Sequence, residues 1–508
     1  MTNHKYTELD SLGVVPTGIA GFDQIAHGGI PQNRTTLIGG TAGSGKTLFA
    51  LQFLANGVEK YGENGVLVTF EEDPEDLVRN VQNLDWHLDE HIDDGRIAVV
   101  DVSPVPGEAA ISAGKYDLSA LISRIEHAVR KTDAKRAILD SVGALFPQVI
   151  DSQVVRHELH RLVVALRAMG VTSLITVERA DEDGPVARYN VEEFVADNVM
   201  LLRNRQESER RRRTVEIVKI RGADHLTGEF PFTIDLKEGL TLSPLATITL
   251  SHEAGEVRIS SGIGELDKMC HGGPFQDSII LVSGATGTGK TLMASQFMKA
   301  GIAAGERTLL LAFEESEAQL VRNAAAWGID YRGAQEQGHF RIVAEYPENR
   351  SLIDHLVRIK QIIEEFKPTR VAVDSLSALE RVSNGRSFRE FVLGITSHLK
   401  SVGAAGMFTN TTDKLMGGES ITETHISTIT DSIIILRYVE VRGEMRRGIT
   451  VLKMRGSYHD NEIREYVIGS EGMHIREPFR NVTGILSGSG ARTLIDDRAA
   501  LGELFPDE

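Results

Sequence analysis

The sequence repeats itself once, in order and in register, and no other feature restricts the possible folds as much. TGIAGFDQIAHGGIPQN at 17–33 aligns with SGIGELDKMCHGGPFQD at 261–277, and GGTAGSGKTL at 39–48 with SGATGTGKTL at 283–292. LVTFEEDPEDLVRN (67–80) matches LAFEESEAQLVRN (311–323), RAILDSVGAL (136–145) matches RVAVDSLSAL (370–379), and VEIVKIRGADH (215–225) matches ITVLKMRGSYH (449–459). The offset is 244 at Gly40 and Gly284, 243 at Glu71 and Glu314, and 234 at Asp140 and Asp374. A period of that length far exceeds a solenoid unit, so each copy is expected to be a complete domain. The boundary is placed near 247, within LSPLATITLSHEAGEVRIS. This gives domains at 1–247 and 248–486 and a short C-terminal tail at 487–508.

Within the second copy, SIILVSG (278–284), RTLLLAFEE (307–315), RVAVDS (370–375), AAGMFTNT (404–411), SIIILRYVE (432–440) and GITVLKMRG (448–456) read as strands. The segments between them carry apolar residues at helical spacing. Buried strands alternating with helices predict an α/β fold, a mainly parallel sheet covered on both faces. Gly40–Thr47 and Gly284–Thr291 both fit the P-loop pattern after an apolar strand. Its glycines let backbone N–H groups wrap phosphate oxygens at a helix N-terminus. Lys46 and Lys290 are expected to reach the β- and γ-phosphates, with the Thr47 and Thr291 hydroxyls on Mg²⁺. Gly43, Ser44, Gly45 and Leu48 complete the first loop, and Thr286, Gly287, Thr288, Gly289 and Leu292 the second.

Asp140 and Asp374 close apolar strands, where a Walker-B carboxylate belongs. Glu71–Glu72 and Glu314–Glu315 follow another strand, where a carboxylate can take a proton from an attacking water or hydroxyl. Lys219/Arg221 and Lys453/Arg455 end a late strand in each copy. They read either as a solvated terminus or as charge-stabilising fingers for a γ-phosphate supplied by a neighbouring subunit. The Arg210–Arg213 run reads as a hairpin tip or a subunit contact. Trp86 and Trp327 read as core residues or as partners for an adenine. His27 and His271 lack metal-ligand partners at useful spacing and read as turn residues. ITETHISTITD (421–431) is rich in hydroxyls and has no Lys or Arg; it is either a strand edge or a row of phosphoacceptors.

The net charge of −17 argues against a chain-wide nucleic-acid surface, since phosphate binding needs clustered Lys and Arg. The single cysteine, Cys270, excludes an intrachain disulfide and fits a reducing, cytoplasmic setting. The first residues, MTNHKYTELDSLG, carry no apolar stretch of the secretory kind, and no apolar run approaches the roughly 20 residues of a membrane span.

The doubled RecA-type pattern, with FEE after the P-loop, Asp-Ser at the Walker-B strand and KIRGADH/KMRGSYHD, resembles the KaiC family of circadian-clock ATPases and autokinases. The likeness covers roughly residues 10 to 490 and is most specific in TNTTDKLMGGESITETHISTITDSIIILRYVEVRGEMRRGITVLKMRGSYHD. It implies an ATP- and Mg²⁺-dependent homohexamer of two stacked rings with nucleotide between subunits. The first domain would be mainly an ATPase, with Glu71 polarising the lytic water. The second would be an autokinase, with Glu314 as general base and a ligand near Mg²⁺. Ser427 and Thr428 match the phosphoacceptors, and Thr422 a third, transient one. Trp327, Arg447, Lys453, Met454, Arg455, Gly456, Ser457, Tyr458 and His459 match nucleotide-contacting positions, as do Lys219, Ile220, Arg221 and His225 in the first domain. A KaiB-like partner is implied on the first ring. The segment after 486 is shorter and more acidic than the family tail that meets KaiA, which argues against that partner. Ala223 stands where the family has Thr.

Aligning Asp197 with Asp431 sets VEEFVAD (191–197) against HISTITD (425–431), so Glu193 faces Ser427 and Phe194 faces Thr428. The first copy keeps the fold without the hydroxyls, which favours acceptors over a strand edge and divides the labour between hydrolysis and phosphoryl transfer. Two other functions share the P-loop chemistry: a RecA-like ATPase acting on nucleic acid, and a signalling scaffold without kinase activity.

Overall fold

The computed structural model describes residues 13–103, 118–146, 152–186, 192–207, 210–235, 237–242, 255–412, 426–441, 443–480, 482–483 and 491–492. Thr422, most of the tail and much of the stretch between the copies lie outside these residues. Two compact units divide the chain, Met1–Thr247 and Ile248–Glu508.

Each unit is a RecA-like α/β domain built on a nine-stranded sheet. The first has the order Gly239–Leu242, Glu229–Asp235, Arg210–Ile220, Asn198–Glu207, Thr35–Gly40, Thr172–Glu178, Arg136–Asp140, Gly65–Thr69, Ile97–Asp101. From Asn198–Glu207 onward the pairing is parallel; the first three strands are added antiparallel. The second runs Phe340–Ala344, Thr308–Ala312, Arg370–Asp374, Ala405–Thr411, Ile279–Gly284 and Ser432–Val441, all parallel. The antiparallel strands Glu444–Met454, Arg464–Gly469 and Gly472–Pro478 complete it. All six runs expected as strands in the second copy are strands.

Side chains alternate between two cores, one on each face. Leu67 and Ile138 pack with Phe22, Phe49 and Phe53 on one face of the first sheet. Their neighbours Val66, Val68, Ala137 and Leu139 pack on the other face with Leu159 and Leu162. A strand buried on both faces has to read as a continuous apolar run, as these do. Trp86 is 3% exposed in the first core, which settles it as packing, while Trp327 is half-buried against the second. The arginine run does not precede a strand: Arg210–Arg213 opens one and pairs with Asn204–Glu207 in a hairpin.

Among the described residues the largest fully buried side chain is charged. Arg136 is 0% exposed, donating to Glu63 (2.7 Å) and to the carbonyls of Phe53 and Pro16 (2.9 Å each). Arg370 repeats this with Glu306 (2.7 Å) and the Ser260 carbonyl (2.6 Å). Each guanidinium ties the Walker-B strand to the P-loop helix and to the segment that enters the domain.

Candidate nucleotide and phosphoacceptor sites

Each P-loop is set by backbone geometry. The strand Thr35–Gly40 ends where the loop begins, and the helix Lys46–Tyr61 starts behind Gly45 at φ 95°. Gly289 does the same at φ 96° before the helix Lys290–Ala303. Left-handed residues at this point need glycine, because a Cβ clashes with the next carbonyl. A Cβ on Gly287 would stand 2.8 Å from the Tyr438 hydroxyl, so the loop is closed to larger residues. Lys46 Nζ lies 3.0 Å from the Thr41 carbonyl, and Lys290 Nζ lies 2.9 and 3.0 Å from those of Gly284 and Ala285. Burial lowers the pKa of both lysines, opposed by nearby carboxylates. An ammonium folded back on loop carbonyls is what a phosphate would draw outward. Among the described residues the buried Ser44 Oγ and Ser141 Oγ have no partner, further polar capacity in the same region. Leu48 packs against the first core and Leu292 is buried in the second, so only their backbones remain for a ligand.

Asp374 closes its strand with one oxygen 2.7 Å from Thr291 Oγ1 and the other bonded to Thr409. Burial pushes its pKa up and those two hydroxyls oppose the shift. Asp140 is likewise bonded to Thr176. Among the described residues no three His, Cys, Asp or Glu form a metal cluster. A Mg²⁺ ion suits such a site, since it takes one or two protein groups plus substrate phosphates. The Thr291–Asp374 pair fits that role.

The glutamate pairs follow their strands directly. Glu71 and Glu72 are both raised in pKa. Desolvation leads in each, followed by Glu178, Asp140 and Glu72 for Glu71, and by Asp140 and Asp76 for Glu72. Glu314 differs: Arg381 Nη2 donates to one oxygen at 2.5 Å and Ser375 Oγ to the other at 2.9 Å. Glu315 accepts from Asn323 at 2.8 Å, and desolvation raises its pKa.

The late-strand cations lie at the far end of the sheet from their own P-loop. Ile280 faces Ser432, which faces Met454, whereas Gly284 faces Leu436, which faces Ile449. Four strand steps separate these ends, roughly 13 Å. The first domain repeats this with Thr36, Asn198 and Ile220 against Gly40, Leu202 and Val215. Neither Lys219/Arg221 nor Lys453/Arg455 therefore reaches the P-loop of its own domain. The side chains of Lys219, Lys453 and Arg455 hold a turn instead. Lys453 Nζ donates to the Thr430 carbonyl (2.7 Å), Arg455 Nη2 to that of Thr428 (2.6 Å), and Lys219 Nζ to those of Glu193 and Ala196 (2.8 and 3.0 Å). Burial and the neighbouring arginine lower the pKa of both lysines. Ile220 and Met454, between them in sequence, point into the cores.

The described part of the hydroxyl-rich segment is not a strand edge. Ile426–Ile429 is one helical turn, and the strand begins only at Ser432. Ser427 lies on that turn, the Thr428 side chain is exposed, and Thr430 is fully buried. Ile426 and Asp431 pin it: Ile426 is in the core, and Asp431 accepts from the Ile279 amide (2.9 Å) and from Lys400 (2.8 Å). β-Branched alternation alone suggested a strand; these anchors at either end favour a turn.

The remaining positions spread out. Arg447 lies 5.6 Å over the Tyr438 ring, beside the second P-loop. Tyr466, which follows no sequence motif, donates to the Thr288 carbonyl at 2.5 Å. Ser457 accepts from Arg258 (2.6 Å), Tyr458 is 86% exposed, and His459 and Gly456 sit in the same turn. His225 Nε2 is 3.1 Å from the Ile217 carbonyl. The contacts of Ser375, Arg381, Thr409 and Thr176 escaped the sequence, which marks no partner 35 to 67 residues away.

Comparison with known proteins agrees with this architecture. The family model for the KaiC ATPase matches residues 15–246 and 259–479. The chain is 56% identical to a circadian clock protein KaiC3 of Synechocystis sp. over 501 residues, 99% of each. It is 54% identical to a circadian clock oscillator protein KaiC of Thermosynechococcus vestitus over 500 residues (98% of this chain, 96% of the other). It is 50% identical to that of Synechococcus elongatus over 498 residues (98% and 96%). No helix among the described residues is long and apolar enough to cross a membrane.

Proposed function

Because the chain belongs to the KaiC family of ATPases, we propose that its two domains use ATP differently: the first hydrolyses it, and the second phosphorylates Ser427 and Thr428. Thr422 is the third acceptor. Glu71 and Glu72 serve the lytic water, and Glu314 with Glu315 the acceptor hydroxyl. Mg²⁺ would be held through Thr47 and Asp140 in the first site and Thr291 and Asp374 in the second, where it would neutralise phosphate charge.

The observation that carries this reading is the separation along the sheet. The acceptor turn and the Lys453/Arg455 pair share one end, and the P-loop occupies the other. This separation supports transfer between copies, in which a second chain presents its nucleotide to this turn. A ring of copies, taken here as a hexamer, meets that need at every interface. Each phosphate would add about −1.5 to −2 charges beside Asp431 and the Lys400, Lys453 and Arg455 cations that hold the turn. Phosphorylation is thereby coupled to the interface and, through it, to a KaiB-like partner in a timing role.

The test has two parts. Incubation with ATP and Mg²⁺ followed by phosphopeptide mapping should find phosphate at 427 and 428; its absence under all conditions overturns the kinase reading. Mixing Lys290→Ala chains, which keep the acceptors, with Ser427→Ala/Thr428→Ala chains, which keep the donor, should label the first kind alone. A nucleic-acid motor would instead show hydrolysis stimulated by single-stranded DNA.

A further inference from the structure

The two glutamates expected to handle the proton of the incoming oxygen are held differently, and the difference comes from residues with no assigned role. In the second domain both Glu314 oxygens are engaged, one by Arg381 and one by Ser375. Both partners leave the same strand, Ser375 directly after Asp374 and Arg381 at the end of the helix Leu376–Arg381. In the first domain Ser141 occupies the place of Ser375, but its buried hydroxyl has no partner. Pro147 stands in the sequence at the place of Arg381, and a proline offers no cation. Among the described residues no guanidinium or hydroxyl engages Glu71, whose charged neighbours are Glu178, Asp140 and Glu72, with Lys46 opposing them.

We propose that Arg381 is a positioning residue that sets acceptor choice: by holding Glu314 it keeps water from competing with serine and threonine hydroxyls for the γ-phosphoryl group. It rests on the autokinase reading for the hydroxyl acceptors, although the effect on water does not. The chemistry is the same for both. The incoming oxygen bonds to the γ-phosphorus, the bond to the bridging oxygen breaks with its electron pair leaving on ADP, and the incoming oxygen's proton passes to the carboxylate. What differs is residence. A water diffuses away in the interval when Glu314 is held by the guanidinium, whereas a hydroxyl delivered on a protein turn stays in place until the ion pair opens. Arg381 is 62% exposed in this pair, so the hold is reversible and its effect modest, at most about fivefold.

The experiment uses the full chain carrying Glu71→Gln and Glu72→Gln, so that remaining hydrolysis comes from the second domain. Arg381→Gln is introduced, with Arg381→Lys as the conservative partner. Released inorganic phosphate and phosphate on Ser427 and Thr428 are counted together across ATP concentrations. The expected result is a rise of about threefold to fivefold in the ratio of released to transferred phosphate, carried by kcat with KM within twofold, and a return towards the starting ratio with lysine. An unchanged or lower ratio overturns the proposal, as does a parallel fall of both products, which would make Arg381 a general support of the site. If the starting chain carries no phosphate at 427 and 428, the autokinase reading fails. The released phosphate alone then decides: a rise of about threefold to fivefold supports the hold on Glu314, and no rise overturns it.

Discussion

Replacing Asp431 by alanine isolates the anchor of the turn proposed to carry the acceptors. The carboxylate accepts from the Ile279 amide at 2.9 Å, from Lys400 at 2.8 and 2.9 Å, and stands 3.8 Å from Arg455. Ile279 is fully buried, so its amide loses its only side-chain acceptor, which costs about 1–3 kcal/mol. Lys400 is 20% exposed and recovers part of its hydration, so the lost pair adds about 1–2 kcal/mol rather than the full cost of a buried charge. Arg455 is half exposed and contributes little. A total of about 3 kcal/mol corresponds to a rise of about 150-fold in opening of the turn. Hydrogen exchange followed by peptide mass analysis measures this directly. The amides of Thr430 and Asp431, bonded to the Ile426 and Ile279 carbonyls, should exchange about two orders of magnitude faster, while the matching segment around Asp197 keeps its rate. Unchanged exchange at 430–431, or an equal rise at 196–197, would refute the view that Asp431 specifically holds the turn.

Other perturbations separate the roles of the remaining residues. Glu71→Gln should lower ATP hydrolysis by about 10²–10³-fold, as expected for loss of a positioned base. In the unsubstituted chain, Glu71 must be ionised to act and its pKa is raised, chiefly by desolvation. Hydrolysis should therefore fall off on the acid side at a higher pH than an ordinary carboxylate would give, and a rate–pH profile with that limb at or below the usual glutamate range refutes it. Arg136→Met should destabilise the first unit by about 3–5 kcal/mol, because a buried ion pair breaks and carbonyls are stranded. With Trp86 and Trp327 the chain's two tryptophans, urea titration of Trp327→Phe and Trp86→Phe backgrounds should show the shift for Trp86 alone. Lys290→Ala should weaken ATP binding to the second domain at least tenfold, measured with a fluorescent nucleotide on a Lys46→Ala background.

The sequence by itself determined the doubling, the parallel sheets, both P-loops and the ends of the Walker-B strands. All of these are local: a strand buried on two faces must be apolar throughout, and a loop wrapped on phosphate must be glycine-rich, so composition records them. The internal comparison of VEEFVAD with HISTITD also favoured acceptors over a strand edge without coordinates. The sequence could not tell that ITETHISTITD ends in a helical turn, because the anchors of that turn, Ile279 and Lys400, are distant in the chain. Nor could it tell that Ile220 and Met454 belong to the cores while Lys219 and Lys453 turn to a neighbouring carbonyl. Only the tertiary structure decided which end of the sheet each group occupies. Register fixes that, and register follows from which strands pair across the whole domain. It separates the Ile426–Ile429 turn from its own P-loop, and it brings Arg381 onto Glu314, 67 residues away.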